Sequence, residues 1–287
     1  MREEEQKSAE KNPDSAEAWK EEGFSLLIFG RYEEAIECFD KAIKINPDFA
    51  EAWNIKGVVL RRLGRYEKAI KCFDKAIKIN PDYAQAWYNK GFALRKLGRH
   101  ESAIKCFDKA IKINPDFADA WHNKGVALSN LGRYEKAIDA FDIAIEINPD
   151  DAQAWYSKGV ALSNLGRYEE AIDAFDIAIE INPDYAYAWY NKGVALYKLG
   201  RYEKALHAFN KAIKINPDDA DAWYNKGVAL SNLGRYESAI KCYDKAIKIN
   251  PDYADAWYSK GVALEKLGRY EEAIKCFDKA KSLKPES

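Results

Sequence analysis

Residues 222–252 read AWYNKGVALSNLGRYESAIKCYDKAIKINPD, and the spacing of their apolar side chains decides the fold. From Trp223, small or apolar residues recur at Gly227, Leu230 and Leu233, the three-to-four step of one helix face. Gly234 follows and suits a left-handed cap. A second run passes through Tyr236, Ala239, Ile240, Tyr243, Ala246, Ile247 and Ile249 and stops before Asn250-Pro251, because proline biases its predecessor away from the helical region. The stretch predicts two short antiparallel helices joined by a tight Gly-Arg-Tyr turn, with Asp252 placed to cap the helix that follows.

The same stretch recurs along the whole chain. Nine prolines stand 34 residues apart from Pro13 to Pro285, eight tryptophans from Trp19 to Trp257, and sixteen glycines fall into two sets, Gly23 to Gly261 and Gly30 to Gly268. A fixed period excludes the two ordinary globular domains that a chain of 287 residues would otherwise suggest. Counted from Ala16, eight repeats run without insertion or deletion: 16–49, 50–83, 84–117, 118–151, 152–185, 186–219, 220–253 and 254–287. The charged leader 1–15 is expected to be at best a frayed cap, with Glu5 and Ser8 at its packing positions. One repeat cannot bury both faces of both helices, whereas a stack can. The glycine inside each first helix costs on the order of 1 kcal/mol against alanine, so it is expected to admit the second helix closely, with alanines such as Ala69 and Ala76 opposite Gly57. The tryptophan and the aromatic residue twenty positions later are expected to fill the space between layers.

Composition narrows the function. Lys plus Arg, 45, balance Asp plus Glu, 46, with interleaved signs, which gives no general electrostatic reason to bind nucleic acid or a membrane surface. No apolar run approaches the roughly 18–20 residues that span a bilayer, and the leader lacks the apolar core of a secretory signal, so a cytoplasmic location is expected. Cys38, Cys72, Cys106, Cys242 and Cys276 share one repeat position with Ala140, Ala174 and Ala208, which reads as small buried thiols. His100, His122 and His207 occupy three different positions and offer no converging metal set. No nucleophile is paired with a base and no glycine-rich loop cradles phosphate, so neither an enzyme nor a cofactor is expected.

The repeat resembles the tetratricopeptide repeat. Relative to each tryptophan it has glycine at +4, a large apolar residue at +7, glycine at +11, tyrosine at +13, alanine at +16, an aromatic at +20, alanine at +23 and proline at +28, over residues 16–287. The resemblance implies an all-α, right-handed superhelical solenoid of antiparallel helix pairs whose first helices line a concave groove. It further implies a non-enzymatic protein–protein interaction scaffold that binds an extended peptide or a partner helix there. The candidate groove residues are Tyr88, Asn89, Asn123, Tyr156, Tyr190, Asn191, Tyr224, Asn225 and Tyr258. The carboxylate clamp known in the family would need asparagine at +5, where this chain is apolar or aromatic throughout, so that ligand mode is not expected.

Three departures from uniformity add expectations. Lys56, Lys90, Lys124, Lys158, Lys192, Lys226 and Lys260 precede the in-helix glycine and are expected to reach the acidic column Asp74, Asp108, Asp142 and Asp176. Arg61, Arg62, Arg95 and Lys96 make a basic cluster suited to an acidic or phosphorylated peptide. Ile143 and Ile177 sit in acidic stripes on the outer face and are candidate contacts for a partner or a second copy. The alternative function is a self-assembling structural array, joined through its terminal faces, with no dedicated groove ligand. Single-stranded RNA is disfavoured by the balanced charge.

Overall fold

A computed structural model describes residues 14–283. The leader up to Pro13, with Glu5 and Ser8, and residues 284–287 lie outside the described residues. All regular structure among the described residues is helical, and the chain divides after Ile147 into two compact halves. The first holds α1 (Ala16–Ile28), α2 (Tyr32–Ile45), α3 (Ala50–Arg62), α4 (Tyr66–Ile79), α5 (Ala84–Lys96), α6 (His100–Ile113), α7 (Ala118–Asn130) and α8 (Tyr134–Ile147). The second holds α9 (Ala152–Asn164), α10 (Tyr168–Ile181), α11 (Ala186–Lys198), α12 (Tyr202–Ile215), α13 (Ala220–Asn232), α14 (Tyr236–Ile249), α15 (Ala254–Lys266) and α16 (Tyr270–Leu283). Within each half every helix packs against the next, and successive first helices also touch, as α3 does α5 and α11 does α13.

The turn and the helix end follow the sequence with one correction. Gly234 has φ +71°, and its N–H donates to the Ser231 carbonyl at 3.0 Å while that of Arg235 donates to Leu230 at 2.9 Å. Two carbonyls at the end of α13 are thereby satisfied by a conformation that a side chain resists. The second helix ends at Ile249 as expected, but Asp252 does not cap α15. The Asn250 side chain instead accepts from the Asp252 N–H at 3.2 Å, and the N-cap falls one residue later, at Tyr253, which makes no side-chain cap bond. Where that later position is itself acidic, a cap forms: Asp151 accepts from the Gln153 N–H at 2.9 Å and Asp219 from the Ala222 N–H at 3.0 Å.

The in-helix glycines face a different partner from the one the spacing suggests. A Cβ at Gly57 would stand 2.5 Å from Cε1 of Phe73, and at Gly159 2.6 Å from Cε1 of Phe175. The +20 ring, fully buried, occupies the space that the missing methyl leaves. The alanines work instead between repeats: Ala69 shares a buried cluster with Ala93, and Ala178 with Ala188. Each tryptophan is half-buried rather than central, and from Trp53 to Trp257 each indole N–H is tied to the carbonyl of the proline six residues before it, at 2.9 Å for Trp87 and Trp223.

Charges lace the repeats as expected. Lys90 reaches Asp74 at 2.6 Å, Lys124 reaches Asp108 at 2.7 Å and Lys260 reaches Asp244 at 2.6 Å, with Lys56–Asp40 and Lys192–Asp176 built alike. Each carboxylate belongs to the preceding repeat, and the Lys124 ammonium also lies 4.9 Å over the Trp121 ring. Exposed arginines repeat the theme, Arg133 to Glu101 and Arg235 to Glu203, both at 2.6 Å; such pairs fix register more than they add stability.

Two serine hydroxyls in this packing lack a partner and yield a prediction. The hydroxyls of Ser129 and Ser163 are buried and unbonded, whereas the equivalent Ser231 shares a 3.0 Å hydrogen bond with the Tyr243 hydroxyl. Phe141 and Phe175 stand where Tyr243 does. Phe175→Tyr is therefore expected to raise stability by about 1 kcal/mol, seen as a higher urea midpoint. A midpoint that does not rise would show that Ser163 gains nothing from the added hydroxyl.

Candidate functional site

The first helices carry the candidate groove residues, and the sequence places a tyrosine and an asparagine at adjacent positions of consecutive repeats. Those columns bond to each other. In the first half Asn123 donates to the Asp119 carbonyl at 2.8 Å and to the Tyr88 hydroxyl at 3.4 Å. In the second, Asn191 reaches the Tyr156 hydroxyl at 3.2 Å and Asn225 the Tyr190 hydroxyl at 3.0 Å. Asn89 is only 2% exposed and donates to Asn54 at 3.0 Å, which in turn donates to the Tyr83 hydroxyl at 3.3 Å. Asn54 was not among the candidates; its signal is an amide standing where later repeats have tyrosine.

The rings are packed as well as bonded. Tyr88 lies 4.9 Å from Phe117, Tyr156 lies 4.9 Å from Tyr185 and Tyr224 lies 5.0 Å from Tyr253, so these faces are half covered by the loop aromatic of their own repeat. Tyr258 is 55% exposed. Burial pushes the phenol pKa of Tyr88 and Tyr156 up, and burial with the Asp221 charge pushes Tyr190 up to about 12. All three stay neutral at physiological pH. Among the described residues nothing accepts their phenol hydrogens, so each retains one donor while its oxygen accepts from asparagine.

The structure brings together three of the four basic residues and adds a ring. Arg61 on α3 and Arg95 and Lys96 on α5 converge on Phe92, with the guanidinium carbons 4.5 and 5.0 Å and the ammonium 5.7 Å from the ring centroid. Both arginines are half-buried, their Nε atoms are buried without a hydrogen-bond partner, and no carboxylate among the described residues pairs with either. Burial lowers both pKa values from that of a free guanidinium, yet arginine stays charged. Arg62 is exposed. Phe92 was missed as a site residue because it occupies a column that is otherwise mostly valine.

Ile143 and Ile177 are half-buried, not projecting. Ile143 lines a shallow cavity of about 320 Å³ with Ile104, Trp121 and Lys124. Its column elsewhere holds lysine, and Lys41 there lies 3.8 Å over the Trp19 ring, so the position serves to cover tryptophan. The five cysteines are buried and unpaired, and burial pushes the thiols of Cys72 and Cys106 up to about 11, far from a nucleophilic thiolate. Among the described residues no group of three or more His, Cys, Asp or Glu side chains is arranged to hold a metal ion, and no helix is long and apolar enough to cross a membrane.

Family models described as tetratricopeptide repeat match residues 16–49, 84–117, 220–253 and 254–287, residues 122–186 and 156–220, and residues 38–71; one described as TPR repeat matches 57–98. Among solved structures, the chain is similar to YrrB, a TPR protein with an unusual peptide-binding site, at 30% identity over 67% of this chain and 98% of that one, with a TM-score of 0.57. MamA from Desulfovibrio magneticus RS-1 shares 26% identity over 58% of this chain and 94% of its own, with a TM-score of 0.56. A tetratricopeptide repeat protein from Parabacteroides merdae covers 90% of this chain and 98% of its own at a TM-score of 0.63; its 19% identity speaks for the fold alone. A search of curated proteins finds no match.

Proposed function

Because the chain belongs to the tetratricopeptide repeat family, we propose that it is a non-enzymatic protein–protein interaction scaffold whose first-helix face grips an extended acidic or phosphorylated peptide, or the acidic side of a partner helix. The observation that carries this reading is the convergence of Arg61, Arg95 and Lys96 on Phe92 without a counterion. Unpaired half-buried cations raise the free energy of the unliganded protein, and a carboxylate or phosphate removes that cost through bidentate hydrogen bonds. The phenol hydrogen of Tyr88, in the same half, suits a backbone carbonyl of such a peptide. The likeness to YrrB, which has a peptide-binding site, supports a peptide as the ligand. A secondary contact at Ile143 and Ile177 would use only their exposed edges. Five reduced thiols suit a cytoplasmic setting.

Charge weighs against the self-assembling alternative. Copies stacked in the register of the internal repeats would set Glu22, which replaces the lysine of the other seven repeats, against Asp278.

The test is fluorescence anisotropy with a labelled glutamate- and phosphoserine-rich peptide and its glutamine- and serine-substituted counterpart. The acidic peptide is expected to bind at least about tenfold more tightly, with about tenfold lost per arginine in Arg61→Ala and Arg95→Ala. Equal affinity for both peptides, or wild-type affinity in the double variant, refutes the reading.

A further inference from the structure

The second half contains a site of opposite character, formed because one repeat exchanges two residue types. In most repeats the residue after Pro-Asp is aromatic, and its ring covers the tyrosine that follows the tryptophan, as Tyr185 covers Tyr156 and Tyr253 covers Tyr224. The same loop tyrosine donates to a polar residue two positions before the tryptophan: Tyr185 to Gln153 at 2.6 Å and Tyr253 to Asp221 at 2.5 Å. In the sixth repeat both positions are reversed. Asp219 stands where the ring should be, and Tyr187 stands where the other seven repeats have Glu, Gln or Asp.

The exchange leaves a vacancy. Asp219 turns to cap α13, so the Tyr190 ring is left without the cover its equivalents have, and Tyr187 is 64% exposed. The result is a cavity of about 490 Å³ lined by Tyr187, Tyr190 and Tyr253 and rimmed by Asp218, Asp219 and Asp221. None of its lining residues is lysine or arginine. Aromatic walls attract a cation through the ring quadrupole. Carboxylates at the mouth add directional acceptors, and the planar guanidinium is the cation able to stack on a phenol and bond a carboxylate with two parallel N–H groups at once. An ammonium satisfies only the charge.

We propose that the cavity between α11 and α13, created by the exchange at Tyr187 and Asp219, is a receptor for a single arginine side chain presented by a protein partner. It lies in the other half from the Arg61–Phe92–Arg95 cluster and takes the opposite charge, so it stands independently of the acidic-peptide reading.

The natural repeats supply variants that should fold. Asp219→Tyr restores the ring found in neighbouring repeats and fills the cavity; Tyr187→Gln restores the polar residue of Gln153. The probe is N-acetyl-arginine methylamide, titrated into the full chain and followed by NMR, with the isosteric citrulline and the lysine derivatives as controls. Saturable binding in the range of about 1–10 mM is expected, with at least about tenfold loss in Asp219→Tyr and for citrulline, and a smaller loss for lysine and in Tyr187→Gln. Arg61→Ala/Arg95→Ala should leave this binding unchanged, which separates its outcome from that of the acidic-peptide test. Equal binding of citrulline, undiminished binding in Asp219→Tyr, or no saturable binding of the arginine probe would each overturn the proposal.

Discussion

Phe141→Ala is expected to destabilise the first half by about 3–5 kcal/mol, the range for emptying a buried aromatic site. The ring is 1% exposed and packs from α8 against α7, where a Cβ on Gly125 would meet its Cε1 at 2.5 Å and its Cδ1 at 2.7 Å. Gly125→Ala alone adds a better helix former, a gain of about 1 kcal/mol, yet is expected to destabilise by about 1–3 kcal/mol because the methyl cannot fit unless the ring moves. The two positions must then be coupled. Shortening the ring in Phe141→Leu frees the volume that the methyl added by Gly125→Ala would need, so the double variant is expected to lose at least about 1 kcal/mol less than the sum of the single losses. Urea denaturation of the four proteins measures this directly. Additive losses would mean that glycine is there for some reason other than the ring opposite it.

That coupling shows what the sequence discloses and what it hides. The 34-residue step gives the helices, the turn glycines and the helix ends almost without error, because those features depend on residues near one another in the chain. The spacing marks Gly125 as a close-approach site but points to alanine as its partner; choosing between two residues of the facing helix requires the rotation of that helix about its axis. The same limit explains Asp252, displaced from the cap by one residue through an Asn250 side chain that forms its own turn. In the candidate site, Arg61 and Arg95 were legible as charge, whereas Phe92 was not, since only coordinates show two successive first helices sharing one ring. The Tyr–Asn bonds were hidden differently. Each column looks self-contained in the sequence, whereas the pairs join one column to another 35 residues on, as in Asn225 and Tyr190.

Raising the pH is expected to unfold the first half through its buried thiols. Cys72 and Cys106 are pushed up to about 11, with burial as the main cause, while a thiol in the unfolded chain ionises near 8.5. Folding thus favours the protonated thiol. The resulting stability is fully present below about pH 8.5, because both states are then neutral. It falls as pH rises toward the folded value, because the unfolded chain releases protons that the folded one retains, and by about pH 10.5 the loss is about 2 kcal/mol per thiol. Tyr190, pushed up to about 12, adds a similar dependence to the second half at still higher pH. The repeats provide a control: alanine occupies the cysteine position at 140, 174 and 208, buried to the same degree. Cys72→Ala/Cys106→Ala should therefore remain folded near neutral pH, at a modest cost for the lost sulfur atoms, while its stability between about pH 8.5 and 10.5 falls about 4 kcal/mol less than that of the parent. Denaturation midpoints with the same pH slope in both proteins would locate alkaline sensitivity elsewhere and would mean that these thiols ionise without leaving their sites.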